Sequence, residues 1–132
     1  MNISVDTNVL VRAILADDPE QARAARRLLK EATTIAVPLP CLCELVWILR
    51  RGAKLTTADV AAAIRALLNT GNVAMNRPAV EAGLRLFEAG GDFADGVIAY
   101  EGRWLGGETF VSFDRKAVAL LSQHGEAAQL LS

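Results

Sequence analysis

The chain has 132 residues, 14 of them basic and 15 acidic, for a net charge of −1 with its single histidine neutral. Hydrophobic residues make up 52%, enough for a real core, and the longest apolar stretch, residues 36–49, holds two prolines and Glu44 and so cannot cross a membrane. One histidine excludes a paired-histidine acid–base catalyst. Cys41 and Cys43 are too close to staple a fold and have no partners for a zinc site.

Residues 2–5 read as a first strand, and residues 7–16 as a helix with Leu10, Val11, Ile14 and Leu15 on one face. Asp17 and Asp18 follow as capping residues, with Asp18 as N-cap and Pro19 opening a second helix. Residues 34–37 form a second strand, and Pro40 opens a strongly apolar helix that ends at Gly52. Cys41 and Cys43 are expected to be small core hydrophobes on it. Thr56-Thr57-Ala58-Asp59 is a capping box ahead of a helix over 60–68. Residues 73–75 give a third strand, and Pro78 starts a helix to residue 89. Gly90-Gly91 breaks the chain before a helix that runs from Asp92 to residue 105. Residues 109–112 form a fourth strand, Asp114 begins another helix, and 127–130 close the chain as a short strand. His124 falls in a polar turn as an ordinary surface histidine.

Short apolar runs alternating with helices predict one domain over residues 1–132. Its fold class is α/β, a three-layer α/β/α sandwich with a short, mainly parallel central sheet. The first residues lack the basic start and cleavage site of a signal peptide, so a cytoplasmic protein without a membrane segment is expected. The apolar surplus, inflated by alanine, hints at surface covered by a partner.

Four carboxylates carry the chemistry. Asp6 and Asp114 follow the first and fourth strands, Asp95 sits at the start of a helix one turn after Asp92, and Glu44 is flanked by Cys41–Cys43 and Leu45–Leu49. The carboxyl ends of parallel strands lie along one edge, so these acids are expected to share a cleft. Each aspartate alone is equally well explained as a helix cap. Glu44 is not: with apolar neighbours all round it is expected to be buried, which is costly unless Arg12 or Arg85 or a divalent cation neutralises it. All-oxygen ligands select Mg²⁺ or Mn²⁺. Such an ion can activate water and neutralise a phosphodiester under attack, which points to a metal-dependent hydrolase.

Val5-Asp6-Thr7-Asn8-Val9-Leu10, Glu44, Asp92-Phe93-Ala94-Asp95-Gly96-Val97-Ile98-Ala99 and Thr109-Phe110-Val111-Ser112-Phe113-Asp114 together resemble the PIN-domain family, and more narrowly the VapC-type toxins of bacterial toxin–antitoxin pairs. The resemblance covers essentially the whole chain. It implies a Mg²⁺- or Mn²⁺-dependent endoribonuclease, with Asp6, Glu44, Asp95 and Asp114 as its four acids and Asp92 as an accessory ligand for a weaker second ion. Asp6 and Asp95 would hold the principal ion, while Asp114 and Glu44 complete its shell or orient water. Thr7 and Ser112 would support the site, and Asn8 would lie in the same loop. The resemblance also implies an RNA substrate, a small antitoxin partner and a homodimer. One departure is Gly96, where the family usually has alanine; it is expected to loosen the helix start by about 1 kcal/mol.

Arg50, Arg51 and Lys54, and likewise Arg115 and Lys116, are candidate phosphate contacts, with solvated helix ends as the equal alternative. Trp47 is expected in the core or an interface rather than on RNA. Arg12, Trp47, Ile48 and Arg51 are candidates for a partner surface. A receiver domain is disfavoured because the later strand ends in Asp114 instead of lysine, and a haloacid-dehalogenase-like phosphatase because Asp6-Thr7-Asn8 lacks the second acid. The remaining rival is a catalytically silent PIN-like binding or scaffold module.

Overall fold

Strand and helix alternate along the chain as the apolar pattern requires. The computed structural model describes all 132 residues, which divide into two units, 1–76 and 77–132.

In the first unit, β1 (Asn2–Ser4), β2 (Thr34–Ala36) and β3 (Val73–Ala74) form a parallel sheet with β2 in the centre. Ile3 lies opposite Ile35, and Ile35 opposite Val73. Helix α1 (Thr7–Leu15) ends at Ala16 in a left-handed conformation (φ 54°), which turns the chain into α2 (Pro19–Glu31). Arg26 of α2 donates to the carbonyl of Ala13 at 3.0 Å, satisfying a C-terminal carbonyl of α1. Asn72, just ahead of β3, does the same for Leu29 and Ala32 at 2.9 and 3.0 Å.

Helix α3 (Leu39–Trp47) continues directly into a π-turn (Ile48–Gly52) closed by the bond from Ala53 N–H to the Ile48 carbonyl, and α4 (Thr57–Leu68) follows. The core is apolar: Ile35, Leu42, Leu45, Leu49, Val60 and Ile64 are fully buried. Thr56 caps α4 by accepting from Asp59 N–H at 3.1 Å, as the capping box predicts.

The second unit holds α5 (Arg77–Glu88), α6 (Phe93–Trp104), β4 (Phe110–Ser112), α7 (Arg115–Gln123) and β5 (Ala128–Leu130). β4 and β5 pair in parallel, with α7 as the crossover. The α/β class and the parallel pairing are those expected from sequence, and most expected element ends fall within one or two residues of those observed; α4 starts at Thr57, three residues before the expected 60, because Thr56 is its N-cap. The strands form two sheets, one in each unit.

Helices α5 and α6 approach to backbone contact. A Cβ on Gly96 would lie 2.7 Å from the Ala82 carbonyl oxygen and 2.8 Å from the Gly83 Cα. A Cβ on Gly83 would meet the Phe93 ring at 2.8 Å and Val97 at 2.9 Å. Gly96 therefore does not loosen its helix, as its intrinsic propensity suggested. It permits the packing that fixes α6. Gly96→Ala should destabilise the protein by about 1–3 kcal/mol despite alanine's better helix propensity, because overpacking against backbone outweighs about 1 kcal/mol of propensity. Thermal melting of the two proteins checks this, and an unchanged or raised midpoint would refute it.

Candidate active site

Three of the predicted acids are helix N-caps, each set at the start of the helix that follows a strand or a tight turn. Asp6 leaves β1 and accepts from Val9 N–H at 3.3 Å. Asp92 accepts from Ala94 N–H at 3.3 Å. Asp114 leaves β4, and its Oδ1 accepts from both Lys116 and Ala117 N–H, at 3.0 and 3.1 Å. The capping explanation is thus correct for all three, but it uses only one oxygen of each carboxylate. All three side chains are exposed, so the second oxygen can serve another partner.

In the first unit, Asp6, Thr7, Asn8, Pro38, Pro40, Cys41 and Glu44 line an open cleft of about 380 Å³. Two carboxylates face it and no lysine or arginine does. Thr7, the one buried polar residue of the chain, donates its hydroxyl to Cys41 Sγ at 3.7 Å. Burial raises the Cys41 thiol pKa; the Thr7 hydrogen bond opposes this, and Glu44 and Asp6 add to the rise.

Four expectations change here. Glu44 is exposed, not buried: α3 presents Pro40, Glu44 and Trp47 to solvent along one side while Leu42, Leu45, Val46 and Leu49 fill the core. Counting apolar neighbours along the chain hid that stripe, which the helical period discloses. Nor is Arg12 its partner, since Arg12 pairs with Asp17 at 3.1 Å. That pairing is also why Asp17 is not a cap; Asp18 alone caps α2. Cys41 and Cys43 are half-buried rather than core residues. Cys41 is a cleft-lining residue that sequence reasoning missed, although its i, i+3 spacing to Glu44 was the available signal.

In the second unit, Asp92 and Asp95 occupy the N-cap and first turn of α6. The Asp95 carboxyl is pushed above the ordinary aspartate value of 3.8, first by burial, then by the charges of Asp92 and Asp114. Ser112 supports this corner by accepting from Asp114 N–H at 2.9 Å. Arg115 and Lys116 are exposed beside Asp114. Arg50 and Arg51 are exposed on the π-turn of the first unit, with Arg50 donating to the Leu55 carbonyl at 3.4 Å. His124 is exposed at the end of α7, its Nδ1 2.7 Å from the Leu120 carbonyl.

The PIN domain family profile matches residues 3–120, a span that runs through both units. The chain belongs to the PIN domain family. PIN domains are typically nucleases that use divalent metals. Comparison with curated proteins finds no match.

The donors of this PIN chain suit such an ion in kind: they are hard carboxylate oxygens, and no imidazole competes. Within neither unit do three or more His, Cys, Asp or Glu side chains converge closely enough to hold an ion by themselves. Mg²⁺ does not require that. It keeps several waters and is commonly held by one or two carboxylates together with substrate phosphate, which pairs such as Asp6 with Glu44 or Asp92 with Asp95 can supply.

Two tests separate capping from charge. Asp114→Ala should cost about 1–2 kcal/mol through two lost cap bonds, whereas Asp114→Asn, which keeps an acceptor, should melt near wild type; equal losses in chemical denaturation would contradict the capping role. For Asp95, the folded protein holds its proton to higher pH than the unfolded chain does. Between those two values stability falls as pH rises. Metal-free Asp95→Asn should therefore melt above wild type at neutral pH, with the advantage fading as pH drops toward the ordinary aspartate range. A gain that is absent at neutral pH, or that grows on acidification, would show the sign to be wrong.

Proposed function

We propose that this PIN protein is a Mg²⁺- or Mn²⁺-dependent endoribonuclease, the toxin of a toxin–antitoxin pair, and that its two units serve one nuclease domain. The observation that carries the reading is the acidic cleft of the first unit, where Asp6 and Glu44 face open space with no cationic side chain to neutralise them. The raised Asp95 pKa, due first to burial and then to the charges of Asp92 and Asp114, supports it. So does the family match, which runs through both units and includes Asp6, Glu44, Asp92, Asp95 and Asp114.

On this reading Asp6 and Asp95 hold the principal ion, and Asp92 serves a weaker second one. A bound divalent ion would neutralise phosphodiester charge and acidify water. Glu44 and Asp114 complete the ligand set or accept a hydrogen bond from the attacking water, orienting it in line with the scissile bond. Asp114 is well suited to this because its Oδ1 is fixed by two backbone N–H groups. Thr7 and Ser112 hold the backbone and cleft wall around the acids rather than the ion. Asn8 is exposed on the cleft rim, where it can reach substrate. Arg50, Arg51, Arg115 and Lys116 are the candidate phosphate contacts.

A small antitoxin and self-association into a dimer belong to the same proposal. Trp104, Leu105 and Phe113 are 76%, 90% and 74% exposed, and they are the apolar side chains such a partner would cover. Light scattering on the isolated chain tests the dimer, and a monomer mass would remove it. No helix is long and apolar enough to cross a membrane; a cytoplasmic location is part of the proposal.

One observation favours the rival reading, a catalytically silent PIN-like module: no three His, Cys, Asp or Glu side chains stand close enough to hold an ion by themselves. Cleavage of RNA by the purified chain decides between them. With Mg²⁺ or Mn²⁺ the wild-type protein should cut single-stranded RNA, EDTA should stop it, and Asp95→Asn should lower the rate by roughly a hundredfold or more, the scale on which loss of a catalytic electrostatic group is felt. RNA left intact, with no metal binding by calorimetry, would hand the function to the binding module.

A further inference from the structure

Trp47 was expected in the core or an interface, and the structure places it 64% exposed. It sits one turn beyond Glu44 on the open side of α3, about 4.5 Å further along the axis. The helix then changes to a π-turn over residues 48–52. A π-turn takes more residues than the 3.6 of an α-turn, so residue 51, four beyond Trp47, stays nearly in line with it. The outcome is a stripe that runs from the Asp6–Glu44 cleft through an exposed indole to an exposed guanidinium at Arg51, with Arg50 beside it.

We propose that this stripe is a binding track for single-stranded RNA, with one unpaired base stacked on Trp47 and the adjoining phosphate held by Arg51. The proposal rests on the nuclease reading for the identity of the polymer. The order of groups matches what a single strand offers: a reacting phosphodiester at the acids, a base face at the aromatic, a further phosphate at the arginine. Along this stripe Trp47 is flanked by Glu44 on one side and the Arg50–Arg51 pair on the other, a charged setting that favours a nucleic acid over a protein partner. A base inside a duplex is already stacked on its neighbours, so the track selects unpaired strands.

The test uses the full chain carrying Trp104→Phe, which leaves Trp47 as the only tryptophan. Adding a single-stranded oligoribonucleotide in EDTA should quench its fluorescence, and the same sequence in a duplex should not. In the cleavage assay with Mn²⁺, Trp47→Ala should raise KM by about tenfold or more and Trp47→Phe should recover most of the loss, following the strength of base–aromatic stacking. Arg51→Ala should weaken binding and flatten its salt dependence. Because Trp47 is exposed, Trp47→Ala should keep the wild-type melting temperature. Cleavage by wild type with no quench and an unchanged KM in Trp47→Ala would overturn the track, leave the nuclease reading intact and return Trp47 to a protein partner. Quenching without any cleavage by wild type would uphold the track and overturn the nuclease.

Discussion

The turn from parallel strand to helix governs this molecule. A helix that starts beside a sheet exposes backbone N–H groups that find no partner within the helix, and a side-chain oxygen must meet them. Here aspartates do so at α1, α2, α6 and α7. Parallel pairing sends β1 and β4 each into such a turn, and the carboxylates that finish the local hydrogen bonding are the ones offered to solvent. On the proposed function, folding and chemistry would draw on the same side chains, one oxygen for each task.

That economy explains what could be read from sequence. The strands, the helices and the positions of Asp6 and Asp114 follow from short apolar runs ended by an acid, and those of Asp92 and Asp95 from a helix start after Gly90-Gly91. Glu44 had no such anchor. Its apolar neighbours implied burial, but helix geometry distributes neighbours by angle, and the side of α3 holding Pro40, Glu44 and Trp47 is open. The same misjudgement put Cys41 inside and made the core one of the two places expected for Trp47.

Gly96 was misread for a different reason. Propensity concerns an isolated helix, whereas the cost of a Cβ here is set by the carbonyl of Ala82 on another helix, which no local pattern discloses. Asp17 is similar: a capping residue by its sequence context, it is claimed by Arg12 five residues earlier.

The α5–α6 contact bears on the acids of the second unit in a further way. Gly96 is adjacent to Asp95, so the first turn of α6 is positioned by one main chain resting on another, without intervening side chains. Side chains adjust by changing rotamer; peptide planes do not. The apolar residues Val80 and Leu84 of α5 can therefore drift among shapes of similar volume while the acids keep their places. The two glycines form a fixed gauge between the helices, and the turn of α6 that carries Asp95 takes its place from it.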